Sequence, residues 1–306
     1  MIFERRENRC SLLPFIREDV HGLGPNDPQT LGWEIKKLDV DKQWSKSSGA
    51  GVTVAVIDTG CDLEHPDIKS NIVGSYNFIR NTHDASDDNG HGSHVCGTIA
   101  AVNNNKGIVG VAPQAKILAL KALNADGVGD LRDVGRAIAY AADKGVDIIT
   151  MSLGSKDVSV EVRNAVNYAT NKGCLIFCAA GNSGISQDIM YPAKFDKTFS
   201  IGAIDINFSR TDFTCSGETL DFLAPGVNIM SIVPNNRYAL MSGTSMSNPF
   251  ATGVAALYLS QHKYLYGKRM TRDEMLEKLK NHAVQLKDKR YQARKYQGFG
   301  IIKPVL

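Results

Sequence analysis

Five short apolar runs, at 52–57, 116–122, 147–151, 175–180 and 199–204, alternate with segments of helical spacing, and this alternation limits the class of fold open to the chain. A run such as Val52 through Ile57 is continuously apolar and β-branched, as expected of a strand buried on both faces. Segments 131–144 and 160–172 repeat apolar residues every 3.6 positions, the first with Arg136 and Lys144 on its polar side. Strand and helix in turn predict one α/β domain: a mainly parallel central sheet flanked by helices and joined by right-handed crossovers. A chain of 306 residues is long enough to bury such a core. No internal repeat, low-complexity tract or apolar run of membrane-spanning length interrupts the pattern.

The first run stops at Asp58, which places a carboxylate at the carboxyl end of a strand, where open α/β sheets put their ligand sites. The segment 90–101 reads as a helix whose small residues, Gly92, Gly97, Ala100 and Ala101, allow close packing on the sheet, with His91 in its first turn. Ser245 precedes an apolar stretch at 246–261, a helix whose N-terminus favours negative charge and whose first turn accommodates Pro249. These three residues supply a carboxylate, an imidazole and a hydroxyl. A serine hydroxyl becomes a nucleophile when a neutral imidazole takes its proton and a carboxylate fixes the imidazole tautomer. Each residue alone has an ordinary reading: Asp58 as a strand-end turn residue, Ser245 as a helix cap, and Asn182 as a turn residue between Gly181 and Gly184.

Four blocks occur in order: Val54-Ala55-Val56-Ile57-Asp58-Thr59-Gly60, Asn89-Gly90-His91-Gly92-Ser93-His94-Val95-Cys96-Gly97-Thr98, Ala179-Ala180-Gly181-Asn182 and Gly243-Thr244-Ser245-Met246-Ser247-Asn248-Pro249. They resemble the signature blocks of the subtilisin-like serine proteases, whose Asp, His, Ser order they share. The resemblance implies the three-layer fold of that family and a serine endopeptidase in which Asp58, His91 and Ser245 form the triad and Asn182 donates to the oxyanion. His94 is read as a structural histidine. The segments Gly127-Val128-Gly129 and Ser152-Leu153-Gly154 match the two stretches that clamp an extended peptide substrate. Ala180 and Gly181 match the pocket for the residue before the scissile bond, which Met190 would narrow or reshape. Leu131 and Leu153 either line an outer pocket or pack in the core. The resemblance also implies a structural Ca2+, held by Asp67, the Asn104 amide and backbone carbonyls of the loop, with Val102, Lys106 and Ile108 in the ligand set. Lys106 fits only if its side chain points to solvent. Asp84, Asp87 and Asp88 bind a second ion or form a solvated acidic loop. The sequence departs from its relatives at Ser93, Cys96 and Ser247-Asn248-Pro249-Phe250, and Asn248 would need buried hydrogen-bond partners.

The chain divides on this reading into an N-terminal extension, 1–30, and a peptidase domain, 31–306. Leu12-Leu13-Pro14-Phe15 resembles an element of the intracellular subtilisins, the branch closest in kind. That likeness implies an extension lying across the active site as an inhibitor, with Pro14 distorting the backbone, until proteolysis removes it; otherwise the element only staples the terminus to an apolar surface. The glycine loop at 22–24 is the exposed candidate for cleavage. The first residues carry no apolar leader, and the six cysteines lie mainly in or beside apolar elements, so reduced thiols and a cytoplasmic location are expected. A net charge of +3 is too small to argue for nucleic acid, and no membrane association is expected. The expected partners are peptide or protein substrates and the chain's own extension; a homodimer is left open. Two other classes compete: a binding protein of the same fold without turnover, and a nucleotide-binding protein. The second lacks both a Gly-x-Gly-x-x-Gly after the first strand and a phosphate-loop lysine.

Overall fold

The computed structural model describes residues 8–20, 23–24 and 26–306. In chain order its elements are β1 (Arg9–Leu12), β2 (Ile16–Val20), α1 (Trp33–Lys37), α2 (Val40–Gln43), β3 (Thr53–Asp58), β4 (Ile72–Asn77), α3 (His91–Ala100), β5 (Lys116–Lys121), β6 (Val128–Asp130), α4 (Leu131–Asp143), β7 (Ile148–Met151), β8 (Leu153–Gly154), α5 (Val160–Asn171), β9 (Leu175–Ala179), β10 (Phe199–Ile204), β11 (Phe222–Pro225), β12 (Ile229–Val233), β13 (Arg237–Ser242), α6 (Thr244–Tyr266), α7 (Arg272–His282) and α8 (Arg294–Gln297). The five apolar runs are β3, β5, β7, β9 and β10, each within one residue of its expected bounds.

Seven strands form one sheet in the order β11-β10-β9-β7-β3-β5-β4, and every neighbouring pair is parallel. In β3, Val54 and Val56 join an apolar cluster with Val95, Ile99, Val254 and Leu257 of α3 and α6, while Ala55 and Ile57 join a second with Val134, Ile138 and Val162 of α4 and α5. With helices on both faces, the strand has no solvent side and needs no polar alternation. The chain goes from β3 out to the β4 edge, returns through β5, then crosses to β7 and proceeds to β11. Strand order therefore reverses beside β3, and a crevice opens at its carboxyl end, where Asp58 stands.

Two small antiparallel sheets, β6-β1-β8 and β12-β13-β2, each take a strand from the N-terminal extension. Farther along, Pro28 and Thr30 bridge to Lys106 and Ile108. Of the loop expected to be cut, Gly22 lies outside the described residues.

The serine-bearing helix differs from expectation. It begins at Thr244, so Ser245 is its second residue, and Pro249 is its sixth, beyond the first turn. A proline there cannot donate to the carbonyl four residues back, that of Ser245. Ser152 Oγ donates to that carbonyl instead, at 3.1 Å, which is why the helix tolerates the proline. All six cysteines are buried free thiols. Among the described residues no helix is long and apolar enough to cross a membrane.

Candidate active site

The end of β3, the start of α3 and the start of α6 meet at one crevice. His91 opens α3, and its Nδ1 lies 2.8 Å from Asp58 Oδ1, which also accepts the Thr59 N–H at 2.8 Å. Both side chains are buried. A hydrogen on Nδ1 directed at the carboxylate leaves the Nε2 lone pair free to accept a proton. The close seating of α3 on the end of β3 requires Gly92, because a Cβ there would stand 2.1 Å from the Gly60 carbonyl oxygen.

Asp87, expected from the sequence only in a second ion site or a solvated acidic loop, braces this junction. Its carboxylate accepts from Thr59 Oγ1 at 2.9 Å, from the N–H groups of Asn89, Gly90 and Ser93, and from Ser93 Oγ at 2.6 Å. Burial opposes its charge, yet the donors on Gly90, Ser93 and Asn89 prevail and hold its pKa below the ordinary carboxylate value. Asp88 pairs instead with Lys121 at 2.6 Å, and Asp84 accepts from Ser86. Each of the three carboxylates has separate partners, and among the described residues no group of three His, Cys, Asp or Glu side chains is assembled for a metal. His94 points the other way, its Nε2 lying 3.0 Å from the Ile229 carbonyl and 3.2 Å from that of Ala239. Burial, with His91 beside it, pushes its pKa down to about 3, so it remains neutral and structural.

Asn182 follows β9 and is oriented by Thr244. Its Oδ1 accepts both the Thr244 N–H at 2.9 Å and Thr244 Oγ1 at 2.7 Å. A backbone N–H can only donate, so the amide nitrogen must face the crevice. There Nδ2 donates to the Pro14 carbonyl at 2.6 Å. The Ser245 N–H lies in the first turn of α6, where no intrahelical acceptor exists. Ser245 Oγ donates to the Ser152 carbonyl at 3.3 Å, while His91 Nε2 has no hydrogen-bond partner among the described residues. The ring of Phe15 stands 5.0 Å from the imidazole. Asn248 Nδ2 donates to Thr150 Oγ1 at 2.8 Å and to the Met151 carbonyl at 3.2 Å, while its Oδ1 is buried without a partner among the described residues, so the need of this amide for buried partners is met on one side only.

The two stretches expected to clamp a substrate, 127–129 and 152–154, flank a strand of the chain's own extension. β1 lies between β6 and β8, with Cys10 opposite Gly129, Ser11 opposite both Val128 and Gly154, and Leu12 opposite Leu153. The Leu12 N–H donates to the Gly127 carbonyl at 2.8 Å. Leu13 is 1% exposed. A Cβ on Gly154 would stand 2.7 Å from Leu13 Cδ2 and 3.2 Å from Met190 Cβ, and one on Gly181 would stand 3.1 Å from Met190 Cγ. The two glycines thus leave the space that Leu13 and Met190 fill. Ala180 is buried, and its carbonyl fixes Met190 by accepting that residue's N–H at 3.0 Å. Leu131 and Leu153 are core residues of the cluster that also holds Cys10, with Leu12 packed against it, so they floor β1 as well.

The residues singled out for calcium also come together. Asp67 Oδ2 accepts from the Ile108 N–H at 2.9 Å and from the Tyr238 hydroxyl at 2.8 Å, while Oδ1 is buried without a partner among the described residues. Burial raises the Asp67 pKa, and in the same loop Asn104 Oδ1 accepts the Lys106 N–H at 3.0 Å. Gln29 Nε2 is within 3.0 Å of the Val102 carbonyl, 3.3 Å of that of Lys106 and 3.2 Å of that of Ile108. Lys106 is exposed while its carbonyl faces Gln29, so its charge does not spoil the loop. Three carbonyls, a carboxylate with an orphaned oxygen and two amides form an all-oxygen set once the Gln29 amide is turned, a choice that nitrogen and oxygen positions leave open. Sequence reading missed Gln29 because it lies 38 residues before Asp67, at the end of the extension, with no motif around it.

Comparison with known proteins places the chain in a family. Residues 49–300 match the profile of the subtilase family. The chain is 43% identical over 241 residues to a thermophilic serine proteinase of Bacillus sp. (strain AK1), covering 78% of this chain and 60% of that protein. It is 38% identical over 263 residues to the major intracellular serine protease of Bacillus subtilis (strain 168), covering 83% and 82%. An intracellular serine protease of Paenibacillus polymyxa is 38% identical over 260 residues, covering 82% and 80%.

Proposed function

Since the chain belongs to the subtilase family and is a serine endopeptidase, we propose that Ser245 is its nucleophile and that its own N-terminal extension keeps it latent. In the working enzyme Ser245 Oγ attacks a peptide carbonyl as His91 Nε2 takes its proton, and the same imidazole then gives that proton to the leaving amine. Asp58 holds the imidazolium, and the Asn182 amide and the Ser245 N–H meet the oxyanion. Water attacking the acyl-enzyme completes hydrolysis by the same relay.

The observation that carries latency is the Pro14 carbonyl on Asn182 Nδ2, with Phe15 against His91. The extension uses the site's own donor while Ser245 and His91 are not hydrogen-bonded to each other, a ground-state arrangement short of attack. β1 fills the place of a substrate strand, so removal of the extension frees the clamp for an extended peptide. Peptides with an aliphatic residue of leucine size on the acyl side of the scissile bond fit the space between Gly154, Gly181 and Met190, which Leu13 fills here. Ca2+ held by Asp67, Asn104, Gln29 and the carbonyls of Val102, Lys106 and Ile108 would brace the loop after α3 and take no part in the chemistry. A cytoplasmic setting is supported by the two relatives named intracellular and by six buried, unpaired thiols.

A serine-directed fluorophosphonate tests the core of this reading by intact mass. Wild type, once processed, gains one adduct, mapped to Ser245, and Ser245→Ala gains none. An adduct elsewhere, or equal labelling of both proteins, contradicts it.

A further inference from the structure

The extension does not end its engagement at Phe15. It continues as β2, which pairs antiparallel with β13 through five residues: Ile16 with Ser242, Arg17 with Met241, Glu18 with Leu240, Asp19 with Ala239 and Val20 with Tyr238. β13 ends three residues before Ser245. With the Pro14 carbonyl on Asn182, residues 15 to 20 occupy the first six positions on the side of the leaving amine.

Two side chains of β2 are placed against the body of the protein. Arg17 Nη1 donates to the Asn89 carbonyl at 3.2 Å, two residues before His91, and a Cβ on Gly90 would stand 2.8 Å from that nitrogen. The absence of a side chain at 90 is what admits the guanidinium beside the imidazole-bearing helix. Val20 packs on the larger apolar cluster, whereas Ile16 is 70% exposed. Along β2, Ile16 and Glu18 are exposed and Arg17 and Asp19 half-buried, the alternation of a strand added to a sheet edge, and Val20 departs from it at the strand's end by being half-buried as well.

When the extension leaves, the edge of β13 from Tyr238 to Ser242 loses the strand that satisfies its backbone groups, and it lies beside the nucleophile. We propose that this edge is a docking strand for the leaving-side segment of polypeptide substrates, which adds to the β12-β13 hairpin over about five residues and presents a cationic residue at its third position to the Asn89 carbonyl. The occupant follows from continuity: the same chain passes from the β6-β8 clamp, past Asn182, onto β13 without a break. The protein then acts on extended internal stretches of polypeptide and poorly on bonds near a C-terminus. This inference rests on the protease reading.

Its test uses the full chain, incubated until its activity is constant, and quenched fluorogenic peptides identical up to the scissile bond. One carries two residues beyond that bond; another carries six, copied from 15–20. Two further peptides change the six-residue tail, one to proline at the fourth position and one to alanine at the third. A gain of about tenfold or more in kcat/KM from two residues to six, cancelled by the proline and reduced about fivefold by the alanine, is expected. Equal kcat/KM for both lengths overturns the docking strand, and a processed protein that elutes as a dimer with the same indifference to length assigns the edge to a second copy. If no peptide is cut while wild type and Ser245→Ala behave alike, the protease reading has failed and the docking strand falls with it.

Discussion

Leu13 is the most deeply seated side chain of the clamped segment, and its truncation tests the proposed latency most sharply. It is almost wholly buried, against Gly154 and Met190, on the non-leaving side of the carbonyl held by Asn182. Leu13→Ala removes three carbons, and at about 0.8 kcal/mol for each buried group the seated state loses about 2.4 kcal/mol. That is roughly a 50-fold shift of the equilibrium between seated and open extension. The space lies at the protein surface once the extension lifts, so the cavity cost of a sealed core does not add to it. The assay is the initial rate of freshly purified, full-length protein on a short chromogenic peptide, read before the mass spectrum shows any processing. The rate should rise toward 50-fold or to the fully active level, whichever is lower, and Leu13→Met, which keeps volume, should stay near wild type. An initial rate within twofold of wild type for Leu13→Ala, with unchanged circular dichroism, would refute the argument that burial of this side chain holds the site closed.

Asn182→Ala should lower kcat of the processed enzyme by about 10²–10³ and leave KM within about threefold; the magnitude is the one known for the same donor in subtilisin itself, and a loss confined to KM would deny Asn182 its role. Glu34 is buried, one of its oxygens lacks a partner among the described residues, and burial pushes its pKa up from 4.5 to about 7. The folded state therefore holds that proton more tightly than the unfolded chain, so the contribution is present below pH 4.5 and is lost as pH rises toward 7, by about 3 kcal/mol. Glu34→Gln should flatten Tm against pH between 5 and 8 and raise Tm at the upper end; superimposable profiles would contradict this. Free Ca2+ at a hundred times its Kd should add about 2.7 kcal/mol of stability, read as a rise in Tm that a chelator reverses. Gln29→Leu should weaken that response, and an unchanged calcium titration would remove Gln29 from the ligand set.

The parallel core was legible because its strands are buried on both faces and read as unbroken apolar runs. β4, Ile72–Asn77, lacks that signature, because as an edge strand it carries polar and half-buried residues. β11, Phe222–Pro225, is only four residues long and ends in proline. The placement of Pro249 beyond the first turn is not legible in the sequence, since nothing local reveals that Ser152, nearly a hundred residues earlier, supplies the missing donor. The site shows the same division. Asp58, His91, Asn182 and Ser245 lie in contiguous blocks, each with a local pattern. Thr244, Asp87 and Gln29 act by reaching partners far along the chain, and only the folded arrangement brings Asn182 Oδ1, Thr59 and the 102–108 carbonyls to them. The extension was read from four residues, yet its hold on the protein comes from two backbone ladders whose register no side-chain pattern encodes.

The central claim, a serine endopeptidase kept latent by its own N-terminus, is tested most directly by following intact mass and casein hydrolysis together in wild type and Ser245→Ala with Ca2+ present. The account predicts that wild type shortens from its N-terminus as casein cleavage appears, while Ser245→Ala stays full length and inert until a trace of processed wild type trims it without conferring activity. Full activity in wild type that retains residues 12–15, or casein cleavage by Ser245→Ala, would contradict it.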